Sequence, residues 1–239
     1  MSSSSTFNSL QRYFAARYQE ETLPEKARAK PGPAVTISRE TGAGAVTIGR
    51  KLAAYLEKHD GDRESVWGLF DENLVDKVLE DHQLPAKLGK YMPEGSGNDF
   101  EAYLGELLGL HPSISTLVEK TNETIKKLAK TGNAILVGRG ANLITFPLSN
   151  AFHIRLTCQL EKRIARVQTF YELAYKQAIN LTHKKDHERR DYVRKHFDKD
   201  IDDPLAYHLT VNTGLLSDDE AVRIIGDAVL LHAGVLKHR

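Results

Sequence analysis

The chain has 239 residues, 41% hydrophobic and 27% charged, and 33 Lys+Arg against 32 Asp+Glu leave a formal net charge of +1. That length supports one substantial core, and the near-neutral balance excludes a whole-molecule basic field for nucleic acid or membrane surfaces. A single cysteine, Cys158, excludes an internal disulfide framework and a multi-cysteine zinc site.

No apolar run approaches the roughly 18 residues of a membrane span, and Met1 to Thr6 carries no secretory pattern. The expectation is a cytoplasmic globular protein. Phe7, Leu10, Phe14 and Tyr18 recur at helical spacing, which predicts a short amphipathic helix ending before Pro24. Lys30 to Pro33 reads as a stiff, turn-prone linker. Residues 1–33 are therefore expected to form a helix and linker on the outside of a main unit spanning 34–239.

From Ala34 onward, short apolar runs alternate with longer helical patterns. The runs are 34–37, 66–70, 134–137, 152–156 and 207–211, and their compact Val/Ile-rich character suits strands covered by helices on both faces. Helices are predicted at 46–59, 72–81, 99–109, 113–131, 159–196 with an internal break, and 217–235, with a loop at 90–98. Such alternation predicts an α/β fold with a parallel, doubly wound sheet. Ligands of such sheets bind beyond the carboxyl ends of the strands. The residues to inspect are thus Ser38 to Gly44, Asp71, Gly138 to Gly140, and Asn212 with Thr213.

Gly42-Ala43-Gly44 lies between the first strand and a helix entered by Ala45, Val46 and Thr47. Strand, glycine turn and helix together present main-chain N–H groups and a helix amino end to a phosphate. A P-loop would end in Gly-Lys-[Ser/Thr], but Ala45 stands where the lysine belongs and Arg39 at the first glycine. Another cation must then supply the charge, and Arg39, on the loop itself, is the best placed, ahead of Arg50 and Lys51. A dinucleotide-binding Gly-x-Gly-x-x-Gly is incomplete, since Gly49 falls two positions too late.

Four stretches together resemble the cytidylate kinase-like proteins of the P-loop nucleoside monophosphate kinase fold. They are Thr36 to Gly44 with Ile48 to Ala53, then Phe70-Asp71, then Ile135 to Asn142 with Phe146-Pro147, and finally Phe152 to Leu156 with Glu161 to Arg166. The resemblance spans roughly 34–232 and implies a P-loop NTPase-type sheet of five parallel strands flanked by helices, with a helical insertion at about 82–131 and a lid at about 180–200. It also implies phosphoryl transfer from ATP with Mg2+ to a small acceptor, most simply a nucleoside monophosphate such as CMP. The loop of that family tends to lack the lysine too. Gly140 departs from its cytidylate kinases, which carry Asp after Gly-Arg.

Phosphoryl transfer requires positioning and charge neutralisation, so arginines should converge on the cleft. Arg139, at the end of a buried strand, is expected to hold the acceptor, with Asp71 orienting an acceptor hydroxyl, holding magnesium through water, or merely capping the next helix. Arg155, inside an apolar run, must either pair with a carboxylate such as Asp71 or turn to the cleft. Arg163 and Arg166 share one helix face leading to the lid, and Arg189, Arg190 and Arg194 are the candidates to close over the phosphate. His183 and His187 sit at i,i+4 without a metalloprotease motif, so a solvated helix is expected there and no protein metal site. Mg2+ would be held mainly through nucleotide phosphates, with Thr47 the nearest hydroxyl. The rival expectation is a non-catalytic nucleotide-binding sensor or pseudokinase on the same fold, which the missing lysine favours. Residue patterns leave the oligomeric state open.

Overall fold

The computed structural model describes residues 12–17, 31–60, 65–71 and 114–234. The helices expected at 72–81 and 99–109, the loop at 90–98 and the insertion before residue 114 lie outside the described residues, as do 1–11 and 18–30.

Five strands form one parallel sheet: β1 (Ala34–Arg39), β2 (Gly68–Phe70), β3 (Ala134–Val137), β4 (Ala151–Thr157) and β5 (Leu209–Asn212), in the order β2-β3-β1-β4-β5. This is the P-loop NTPase-type α/β fold, with the glycine-loop strand in the centre. Register runs Val35↔Ile135 and Ile37↔Val137 on one side of β1, and Val35↔Phe152 and Ile37↔Ile154 on the other. The apolar runs are strands for the expected reason: Ala34 to Ile37 and Ala134 to Val137 are almost fully buried, so both faces need apolar side chains.

Two runs shift. The pattern over 66–70 contributes only Gly68–Phe70, because pairing begins at Gly68↔Ala134, while the Trp67 N–H donates to Glu57 Oε1 at 2.9 Å. The run over 207–211 starts pairing later, at Leu209, since Tyr207 still completes a turn with the Pro204 carbonyl.

The helices cover both faces. On one side lie α1 (Ala45–His59) and α6 (Asp218–His232), whose Ile48, Leu52, Leu56, Ile225 and Val229 meet Val35, Ile37 and Ile154 in one cluster. Burying each of these large aliphatic side chains contributes roughly 1.5–3 kcal/mol. On the other side are α2 (Ile114–Thr131) and α3 (Ala141–Thr145), joined by the helical residues 12–17. Tyr13 there is fully buried against Phe70 and Leu136, and its hydroxyl donates to the Gly132 carbonyl at 2.8 Å. The segment thus belongs to the core packing.

The predicted break within 159–196 separates α4 (Leu160–Tyr171) from α5 (Tyr175–Phe197). Glu172 ends α4 in the left-handed region at φ 54°, and Ile164, Val167 and Ala178 zip the two helices together. Helix α6 begins at a capping box in which Ser217 and Glu220 satisfy each other's N–H groups. Among the described residues no helix is long and apolar enough to cross a membrane.

Candidate functional site

The glycine turn is built at the carboxyl end of the central strand. Gly42 and Gly44 take φ 79° and 87°, and Gly44 is the N-cap of α1 with no side chain capping the helix. The first intrahelical bond is Ile48 N–H to the Gly44 carbonyl, so the N–H groups of Ala45, Val46 and Thr47 lie in the first turn, where a helix leaves its donors unsatisfied internally. Gly42 is dictated by contact as well as by φ: a Cβ there would stand 2.5 Å from the Arg163 carbonyl oxygen, where α4 packs on the loop. Ala45 is 7% exposed and packed in the core, so the lysine position of a P-loop faces inward here.

Three elements brace this loop. The Arg166 guanidinium donates to the Gly42 carbonyl at 3.3 Å and to Thr213 Oγ1 at 3.1 Å. Thr213, just past β5, donates to the Ala43 carbonyl at 2.9 Å. Arg163, buried, donates to the Thr41 carbonyl at 3.3 Å and the Cys158 carbonyl at 3.0 Å, and pairs with Glu40 at 3.6 Å and with Asp186. From α5, Asp186 Oδ1 accepts the Thr41 N–H at 2.7 Å, and Arg189 donates to Thr41 Oγ1. Arg163 and Arg166 therefore support the loop's carbonyl side.

Beside the loop, a small cleft, partly open to solvent, lies over the ends of β1 and β3. Arg39, Arg139 and Arg189 line it together with Ser38, Asn142 and Tyr192. Its location, next to the central strand of an open parallel sheet, is where the fold predicts a ligand. Arg39 reaches across the end of β3 to within 4.0 Å of Asp71 at the end of β2, both side chains mostly buried. Gly138, Arg139 and Gly140 all adopt positive φ, of 85°, 56° and 66°, and this left-handed run carries Arg139 out of the strand and along the cleft.

The remaining predicted residues are placed differently. Arg155 is neither paired with Asp71 nor part of the cleft lining: it donates to Ser38 Oγ at 2.9 Å and pairs with Asp202 at 2.5 Å, behind the cleft wall. The reason is strand order, since β4 and β2 lie on opposite sides of β1. Tyr207 Oη lies 3.2 Å from Ser38 Oγ and 2.7 Å from the Ile201 carbonyl. Its single proton goes to the carbonyl, so Ser38 donates to Tyr207 and accepts from Arg155. Burial pushes the Tyr207 phenol above its ordinary range.

Arg190 is exposed and pairs with Asp202 at 3.5 Å, and Arg194 is exposed near the end of α5, so of the lid arginines only Arg189 lines the cleft. His187 meets Asp191 at 3.1 Å on the outer surface, and Thr47 is exposed. Among the described residues no group of three His, Cys, Asp or Glu side chains is arranged for a metal ion.

Sequence reasoning gave no role to Asp186, Asp202 or Tyr207, and none to Glu40 within the inspected loop. Asp186 lies in the charged run expected to form the lid, where the arginines drew the reading, and its local signal is the i,i+3 spacing to Arg189.

A family model described as the cytidylate kinase-like family matches residues 34–215, three quarters of the chain. The chain belongs to the cytidylate kinase-like family. The match covers all five strands of this family member, the glycine loop, the Gly138-Arg139-Gly140 turn and all of α5. No curated protein matches its sequence. Among solved structures, an uncharacterized protein from Eubacterium ventriosum shares the fold at TM-score 0.60 and 20% identity, covering 82% of this chain and 98% of that one. Shikimate kinase from Bacteroides thetaiotaomicron is similar at TM-score 0.48 and 13% identity, over 82% of this chain and 98% of that one. Shikimate kinase from Acinetobacter baumannii, in complex with shikimate, is similar at TM-score 0.47 and 16% identity, over 87% and 98%.

Proposed function

We propose that the protein transfers the γ-phosphoryl group of ATP to a small acceptor, most simply a nucleoside monophosphate such as CMP. One observation carries this reading: an amino-terminal helix turn with no side-chain cap adjoins a cleft lined by arginines from three separate elements. The donor set fits a polyphosphate, because main-chain N–H groups and guanidiniums both favour anions and neither competes as an acceptor. An added Cβ on Gly44 would meet Ile48, Arg166 and Asp218 at ordinary van der Waals distances of 3.6 to 3.9 Å, and no side chain caps the helix end.

In this reading the N–H groups of Gly42 and of Gly44 to Thr47 hold the β- and γ-phosphates, the Ala43 N–H being donated to the Glu40 carbonyl at 3.1 Å. ATP would supply the phosphoryl group, with Mg2+ carried by its phosphate oxygens and water. Arg39 takes the place of the missing lysine, with Asp71 4.0 Å from its guanidinium across the end of β3. Arg139 grips the acceptor's anionic group bidentately, and Asp71 fixes an acceptor hydroxyl. Arg189 neutralises charge on the transferring group, while α5 shields it from water. Arg155 serves at one remove, by holding Ser38 in the cleft wall. Arg190 and Arg194 remain outside this set.

A second reading has its own observation: an alanine, packed into the core, stands at the lysine position, so the loop presents no ammonium, which suits a nucleotide-binding sensor or pseudokinase. A coupled assay with ATP, Mg2+ and a panel of nucleoside monophosphates separates the two. Turnover on one acceptor, with kcat of at least about 1 s⁻¹ as for ordinary kinases, supports the transferase. ATP binding by calorimetry with no turnover on any acceptor supports the sensor and sinks the transferase.

A further inference from the structure

One carboxylate gathers the whole loop and has no role in the reading above. Asp186 Oδ1 accepts the Thr41 N–H at 2.7 Å and lies 3.4 Å from Arg189 Nη1, while Oδ2 pairs with Arg163. Residues from the loop after β1, from α4 and from α5 thus meet on a single, mostly buried acid. Thr41 adds a second tie, since its hydroxyl accepts from Arg189 and its carbonyl from Arg163.

We propose that Asp186 is a positioning residue for phosphoryl transfer, locking the glycine loop, Arg163 and Arg189 into one unit with the Arg189 guanidinium held along the cleft. The argument is electrostatic. An acid at the edge of a phosphate loop repels a polyanion, so it gains nothing for ground-state binding. What it supplies is geometry: charge-assisted bonds fix two long, rotamer-rich side chains that would otherwise lose entropy during the reaction. Its contribution therefore falls on kcat rather than on nucleotide affinity, the pattern of an interaction used in the transition state. This inference rests on the proposed phosphotransfer, so its test includes a readout that needs no turnover.

Asp186→Asn keeps an oxygen for the Thr41 N–H and removes the charge, whereas Asp186→Ala removes both. With the wild type active, Asp186→Asn is expected to lower kcat at least 30-fold while KM for ATP stays the same or falls. Arg189→Gln should act on kcat alike, and the double variant should fall no further than the worse single one. A kcat within 3-fold of wild type, a loss carried by KM, or additive losses would overturn the proposal. Separately, hydrogen exchange of the Thr41 amide should quicken at least 10-fold in Asp186→Ala and stay near wild type in Asp186→Asn; unchanged exchange in both overturns the lock. Should wild type transfer phosphate to no acceptor, the kinase reading fails by itself, and exchange alone decides whether Asp186 holds the loop. Asp186→Ser replaces the alanine variant if that does not fold.

Discussion

The ring of Phe197, at the end of α5, packs into the space that a Cβ on Gly140 would occupy. The position after Gly-Arg is thus filled from another element, and a side chain at this site would meet both that ring and a φ of 66°. The same ring closes the cluster of Tyr192, Val193 and Ile201, so α5 is seated on the sheet through that contact.

Gly140→Asp should accordingly destabilise the fold by about 1–3 kcal/mol, the range for overpacking a filled site. Phe197→Ala alone should cost up to about 3 kcal/mol through lost burial. The double variant should be more stable than the two losses summed, because the alanine makes room for the new side chain. Urea denaturation of the three variants measures the coupling, and strict additivity would contradict the contact.

At the loop, Gly42→Ala meets the Arg163 main chain and a φ of 79° at once. Neither obstacle yields by rotating a side chain. The expected result is a loss of about 2 kcal/mol or more in stability together with at least 10-fold weaker ATP binding. Gly44→Ala, whose Cβ would meet its neighbours only at ordinary van der Waals distances, should cost about 1–2 kcal/mol from φ. Calorimetric affinities and denaturation midpoints for both variants check the order.

Arg139→Ala should raise the acceptor KM or abolish turnover while leaving ATP affinity within about 3-fold of wild type. The residue lies at the β3 end of the cleft, whereas the N–H groups proposed for ATP belong to the loop and the start of α1. Arg139→Lys should not restore the loss, since an ammonium lacks the planar fork. Equal loss of ATP binding would place Arg139 on the nucleotide side instead.

His153 makes stability depend on acid. Its ring is 1% exposed, lies 2.9 Å from Thr36 Oγ1, and packs against His208 and Phe146. Burial first, then the neighbouring His208 and His232, hold its pKa down from 6.5 to about 4. The unfolded chain therefore binds this proton more readily than the folded one, and stability falls as pH drops from about 6.5 towards 4. The loss by pH 4 should be on the order of 2–3 kcal/mol. Burial also holds His208 down, so it adds in the same direction. His153→Gln should flatten the profile between those pH values, as urea midpoints at pH 7.5, 6, 5 and 4 would reveal.

The strands and the glycine turn were readable along the chain because their causes are local. A strand covered on both faces needs a run such as Ala134 to Val137, and a helix lying on the sheet needs the spacing of Ile48, Leu52 and Leu56. Gly42 and Gly44 likewise announce a turn wherever they occur after a strand. Charged partners are a different matter. Arg155 could not be assigned to Asp202, nor Thr41 to Asp186, from spacing, since each bond joins residues 47 and 145 positions apart. Strand order sent Arg155 away from Asp71 and let Arg39 approach it, and the seating of α5 brought Asp186 of the charged lid run onto the glycine loop. A guanidinium accepts any carboxylate that packing brings within reach, so composition names the charges and only the folded chain pairs them.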